Sequence, residues 1–408
     1  MALPCSATLH RHRVAGSNDG DGLIWENARK GTPDMPATRE SFDRMVGDRV
    51  RIARKASGLT QEQLSEKLGF SDRQTLSNIE AGKRRVQADE LVQLMQALGK
   101  ELDYFTDPYR VTEEKVISWR AKRETPEIDA YEPAARNLVS SFRRFHDLLD
   151  RTFNPVLPRL SLTRRSSYED AAVAAEALVK HWELGDRPAD SMWRLVEKEL
   201  GIFVLFVDAP QDVSGAACHL PQFNAILINR SEVPWRQNFT LAHDAFHLMT
   251  WDAMPPEAVD IEYHDMKCAP KIERLANNFA AALLMPQSAV SAAWEARDEA
   301  SDVHDWIVGS ADRFGVSGEA FYWRLRNLGL LTEGMALDVN HDRLKRNNAQ
   351  QRGTQPPRLY SESFVRVLHD VLDEGRVSVR KAAELLGNTI EDIEDLFADY
   401  GVDVPFAL

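Results

Sequence analysis

Hydrophobic residues recur every three to four positions over most of this chain, a period that predicts a mainly helical protein. Between 41 and 106 the helical runs are short and interrupted by glycines, predicting four or five small helices closed by Asp107-Pro108. Leu64 and Leu68 form the inner face of one helix ending at Gly69, and Leu76 and Ile79 that of the next, ending at Gly82. Leu138, Phe142, Phe145 and Leu149 continue the helical period until Pro155 and Pro158 break it. Helices are expected near 168–183 and 190–200. The period then changes: 202–207, 213–219 and 224–229 read as strands. From 236 to 330 helices dominate again. Residues 340–358 form a polar linker, and Ala382, Ala383, Leu385 and Leu386 before Gly387 mark further helices in 361–401.

These patterns divide the chain into a disordered tail at 1–40, a helical module at 41–106 and a helical connector at 107–165. A mixed domain at 166–338, a linker at 339–360 and a helical segment at 361–408 complete it. The expected class is α+β, mainly α with one small sheet. The first 38 residues carry no sustained periodicity, and Met35 is a candidate for the true start. A length of 408 residues calls for two or three domains, in keeping with that division. No apolar run approaches about 18 residues, so no membrane span is expected. The three cysteines, Cys5, Cys218 and Cys268, make neither a disulfide framework nor a CxxC knuckle, and a reducing cytoplasm is the expected compartment. A net charge of −13 excludes a chain that coats nucleic acid non-specifically. Residues 41–106 hold about as many basic as acidic side chains, so a local DNA-binding module remains open.

That module has its own signals. Thr60 is followed three residues later by Gln63, and Ser71 by Gln74, both read as capping boxes that start a helix. Two short helices joined through Gly69-Phe70-Ser71 make a helix-turn-helix. With Leu76 and Ile79 turned inward, Arg73, Gln74, Thr75, Ser77 and Asn78 face out, with hydrogen-bonding side chains of a length suited to base edges in a major groove. Gln61 is placed for a phosphate, and Lys83, Arg84 and Arg85 for salt-dependent backbone contacts. The alternative is a plain helical hairpin with a polar surface.

The second candidate chemistry lies in His-Asp-Ala-Phe-His at 243–247. Histidines at i and i+4 on one helix point at a common site and lie about 6 Å apart, as zinc capture requires. Glu273, at the start of a helix packed through Leu275, Phe279 and Leu283, is suited to a third ligand, since a charged group there needs a partner. The spacing is that of HExxH, with Asp244 where the catalytic glutamate of zinc hydrolases stands. Taken singly, the pair could be a solvated helix face and Glu273 an exposed helix start. His264, Asp265 and Cys268 precede Glu273 as ordinary loop residues or as modulators of the metal, and Cys218 and His219 read as strand packing.

The stretch GLTQEQLSEKLGFSDRQTLSNIEAGKRRV closely resembles the XRE (Cro-type repressor) helix-turn-helix family over about 43–106. RQNFTLAHDAFHLMT and IERLANNFAAALLMP resemble the two signature stretches of the ImmA/IrrE metallopeptidase family. GIFVLFVDAPQDVSGAACHLPQFNAILINR and SADRFGVSGEAFYWRLRNLGLL are similar to its flanking strand and helix regions, over about 170–335. The first resemblance implies a five-helix domain that binds double-stranded operator DNA as a homodimer. The second implies a zincin-like fold with zinc on His243, His247 and Glu273 and a regulatory protein as substrate or partner. It also puts Asp244 in the general-base position. The family commonly has a basic residue where this chain has Asn238, with Arg236 nearby. Aspartate is one methylene short, and a setback of about 1 Å can cost roughly 10²-fold in rate. Two readings are open: a regulator with a peptidase, or a regulator whose pseudo-peptidase domain senses a ligand or partner.

Overall fold

The computed structural model describes residues 25–27 and 39–406, apart from 113–115, 124, 152–156, 221–222, 262–268, 299–300 and 345–354. The expectations of a disordered tail over 1–24 and 28–38, and of a role for His264, Asp265 or Cys268, lie outside the described residues.

Five helices, α1 (Arg39–Ala56), α2 (Gln61–Lys67), α3 (Arg73–Glu80), α4 (Ala88–Leu98) and α5 (Leu102–Thr106), enclose Val50, Leu64, Leu76, Ile79, Leu94 and Phe105. Thr60 caps α2 in the expected box: its Oγ1 accepts from Gln63 N at 3.2 Å, and Gln63 Oε1 accepts from Thr60 N at 2.8 Å. The box expected at Ser71 does not form. Asp72 takes the N-cap position of α3 instead and accepts from Thr75 N at 2.8 Å. A carboxylate there also meets the positive end of the helix dipole, an advantage that a serine hydroxyl lacks. Gly47 lets α1 cross α3 backbone to backbone, since a Cβ on it would sit 2.1 Å from the Ile79 carbonyl oxygen.

The remainder is built on a five-stranded mixed sheet with helices on both faces. Its strands are β2 (Ile117–Ala121), β4 (Ile202–Val207), β5 (Val213–Leu220), β6 (Phe223–Asn229) and β7 (Val259–Ile261), in the order β4-β6-β5-β2-β7. β5 and β6 form an antiparallel hairpin, β2 joins β5 antiparallel, and β4 and β7 lie parallel to β6 and β2. A separate pair links β1 (Trp25–Asn27) to β3 (Pro158–Leu160). The stretch 107–165 is therefore more than a helical connector: β2 enters the main sheet, and α6 (Pro126–Leu148) covers one face of it. Phe142 and Phe145, spaced for a helix core, are buried there, with Phe142 4.4 Å from Phe203 of β4.

On that face α6 shares its core with α15 (Glu362–Asp373), α16 (Val379–Leu386) and α17 (Ile390–Tyr400), through Phe364, Leu368, Ile393 and Phe397. Ser141 Oγ donates to the Leu385 carbonyl at 3.0 Å, and Tyr360 pairs by backbone with Phe206. The opposite face carries α7 (Tyr168–His181), α8 (Met192–Lys198), α9 (Pro234–Thr250) and α10 (Lys271–Leu284). Beyond these lie α11 (Gln287–Glu295), α12 (Val303–Phe314), α13 (Gly318–Asn327) and α14 (Glu333–Leu337).

Helix α9 begins at Pro234, whose fixed φ pre-sets the first helical turn. It lies directly on the hairpin. Gly215 makes that contact possible, as a Cβ there would meet the Leu227 carbonyl at 2.4 Å and Thr240 Cγ2 at 2.9 Å. Gly215→Ala is expected to cost about 1–3 kcal/mol by overpacking. Gly309→Ala, in a turn of α12 with open space around it, should be neutral or stabilising by up to about 1 kcal/mol. Urea unfolding of the two variants measures the contrast.

Candidate metal centre and nucleic-acid interface

Helix α9 is buried along nearly its whole second half, so His243 and His247 face the sheet and α10 rather than solvent. Each is 1% exposed, which removes the solvated-face alternative for the pair. Their Nε2 atoms lie 2.9 Å apart. Glu273, on the first turn of α10, places Oε2 3.3 Å from His243 Nε2 and 3.4 Å from His247 Nε2. A fourth donor comes from β7: Asp260 Oδ2 is 3.1 Å from His243 Nε2. All four ligand atoms fall within 4.8 Å of one another. Donors about 2.0–2.2 Å from a tetrahedral zinc ion stand about 3.3–3.6 Å apart, and the carboxylate–histidine separations of 3.1, 3.3 and 3.4 Å are close to that.

Hydrogen bonding and charge also fit a cation. Asn277 Oδ1 lies 3.1 Å from His243 Nδ1, so the ring donates there and turns the Nε2 lone pair to the centre. Asp244 Oδ2 and His247 Nδ1 are buried with no hydrogen-bond partner among the described residues. Asp244, Asp260 and Glu273 bring three negative charges, and Arg120 one positive charge 3.6 Å from Asp260. A divalent cation would balance the remaining two.

Without it the cluster compensates by holding a proton. Burial and the Arg120 charge oppose protonation of His243, yet its contacts with Asp260 and Glu273 raise it to about 9. Burial would push the Glu273 carboxyl up, but the two histidines hold it far below the usual carboxylate range. Asp244 differs. Burial dominates and raises its carboxyl to about 6, against the pull of His243, Arg120 and His247. It stands beside the ligand set without belonging to it, a position suited to proton transfer.

On the N-terminal module, Arg73 and Gln74 are exposed on α3, Thr75, Ser77 and Asn78 are half-buried along it, and Gln74 Nε2 donates to Asn78 Oδ1 at 3.1 Å. Lys83 and Arg85 lie beyond its end and are exposed. Two residues expected at the phosphates are engaged within the protein. Gln61 Nε2 donates to Glu80 Oε2 at 2.8 Å, beside the buried Arg54–Glu80 pair. Arg84 makes a two-pronged bond to Glu90 at 2.9 and 2.7 Å, which braces the end of α3 against α4.

Asp260 and Asn277 join the site without having stood out in the sequence. Asn277 carries a readable signal, one helical turn after Glu273 on the same face. Asp260 carries only a three-residue alternation, Val259-Asp260-Ile261, whose meaning depends on pairing with a strand about 140 positions earlier, where Ser118 bonds Glu257. Asn238 has a structural part: it accepts from Trp193 Nε1 at 2.9 Å and donates to the Gly315 carbonyl at 3.0 Å. Arg236 turns to Ser214 Oγ and Glu232, and Cys218 is buried on the α6 face.

Comparison with known proteins finds a family for each of the two domains. Residues 197–326 match the family model of the IrrE N-terminal-like domain, and residues 50–105 match that of the helix-turn-helix. A 68-residue stretch is 40% identical to an uncharacterized transcriptional regulator in the ATPase CF(0) region of Rhodospirillum rubrum. The match covers 17% of this chain and 62% of that protein. The chain thus carries an XRE-type helix-turn-helix and an IrrE-like, metallopeptidase-type domain of a family that implies a bound metal.

Asn277→Ala should leave the fold intact and weaken metal binding about 10–100-fold by releasing the His243 ring. Competition against a chromophoric zinc chelator measures this.

Proposed function

We propose that this chain is a DNA-binding transcription regulator that reads an operator through α3 and carries zinc in its second domain. The observation behind the first part is the polar face of α3, held on the buried Arg54–Glu80 pair while its apolar residues fill the core. Arg73, Gln74, Thr75, Ser77 and Asn78 would meet base edges, with Lys83 and Arg85 at phosphates and Gln61 and Arg84 setting the angle of α3. A homodimer on a palindromic site in the cytoplasm suits such a module. His243, His247 and Glu273 would hold the zinc, which when bound polarises a carbonyl and acidifies water. The burial of all three favours a domain that is closed at rest and acts by changing operator affinity in response to a ligand or partner.

A second reading, cleavage of a regulatory protein, has one observation in its favour. Asp244 is unpartnered at Oδ2 and its carboxyl is raised to about 6, so it can take a proton and pass it on at neutral pH.

Two experiments separate these parts. Gln74→Ala with Asn78→Ala should cost about 2–6 kcal/mol of operator binding, at about 1–3 kcal/mol per base-reading side chain, while sparing non-specific binding. Fluorescence anisotropy on a selected operator reads this, and unchanged affinity would remove α3 as the reading helix. For cleavage, the zinc-loaded protein is incubated with candidate repressors. Processing by the native chain that vanishes in Glu273→Ala establishes the peptidase. Processing only by Asp244→Glu shows that the shorter carboxylate has switched the chemistry off.

A further inference from the structure

The position of β7 explains why the metal centre is closed. This strand is three residues long and lies at the sheet edge, parallel to β2. Its approach is fixed by two bonds: Trp119 N donates to the Ala258 carbonyl at 2.9 Å, and Ser118 Oγ donates to the Glu257 carbonyl at 2.7 Å. Alternation along the strand turns Val259 and Ile261 one way and Asp260 the other, into the cluster on α9 and α10. Asp260 Oδ2 then stands 3.1 Å from His243 Nε2 and, with the donors of His243, His247 and Glu273, makes a set of four within 4.8 Å of one another, the number a tetrahedral ion takes. Catalytic zinc centres keep that position open, whereas structural ones fill it with a protein ligand.

Departure of β7 would break the ion pair that Arg120 of β2 makes with Asp260, 3.6 Å from NH1 to Oδ2. The edge of β2 that β7 covers would also be uncovered, with its backbone N–H and C=O groups free to pair with an extended peptide.

We propose that Asp260 is the fourth metal ligand and that β7 is a built-in plug. In place, it fills the coordination position and the β2 edge together. Displaced, it opens both at once, so metal access and peptide access are controlled by one three-residue strand. This rests on the metal reading above and adds to it a means of regulation.

The test uses the full chain loaded with cobalt(II), whose visible absorption reports the ligand set, and azide as a small probe of an open position. The native spectrum should be unaffected by azide. Asp260→Ala and its near-isostere Asp260→Asn should still take one cobalt per chain but bind it at least about tenfold more weakly. Their spectra should change on adding azide. Circular dichroism checks folding, and the asparagine variant decides if the alanine variant unfolds. A native spectrum that responds to azide as the variants do, or variants with native cobalt affinity, would overturn the plug. Failure of the native chain to bind cobalt, or full binding by His243→Ala, would instead overturn the metal reading itself.

Discussion

Two buried imidazole nitrogens 2.9 Å apart cannot both present lone pairs to each other, so the pair must share either a proton or a metal cation. Much of the second domain is arranged around that requirement. Helix α9 must be buried for both rings to face inward, and Gly215 lets it settle on the β5–β6 hairpin. Helix α10 must then deliver Glu273 from its first turn and Asn277 from its second, one for charge and one to fix the ring. Three carboxylates in one buried cluster need compensating charge, which Arg120 supplies in part and a divalent ion would complete.

The strand β2 ties this centre to the rest of the molecule. Trp119 turns to one face, where its Nε1 donates to Glu132 of α6, and Arg120 turns to the other, beside Asp260. Helix α6 in turn meets the end of the DNA-binding module, where Arg144 pairs with Asp107 and Tyr109 donates to Asp147. A continuous run of contacts therefore joins the metal cluster, the sheet edge, α6 and the helix-turn-helix. The strand β7 borders this run of contacts through its pairing with β2.

Local chemistry made much of the fold legible. The α2 capping box, the glycine stops, the three apolar strands and the i, i+4 histidines each depend on neighbours within a few residues. The α3 cap falls one residue later than the Ser71 box indicates, because Asp72 and Ser71 are both good caps and only the helix dipole separates them. The features hidden from the sequence depend on long-range pairing. β2 looks like part of a helical connector until β5, about 100 residues away, is beside it. Asp260 is an ordinary acidic residue until β7 pairs with β2. The helices at 362–400 read as an appendage because nothing local reveals that their partner is α6.

Asp244 now has a clearer position. The missing methylene matters only if the centre opens, and in this structure Asp260 stands where the opening would be. If β7 is the plug we propose, catalysis and sensing would share its release as a first step and diverge after it. Zinc-edge anomalous diffraction from crystals of the zinc-loaded full chain addresses this most directly. A single peak bonded to His243 Nε2, His247 Nε2, Glu273 and Asp260, at about 2.0–2.2 Å from each, is the expected result. A peak held by the first three alone, with Asp260 turned to Arg120 and solvent in its place, would contradict it.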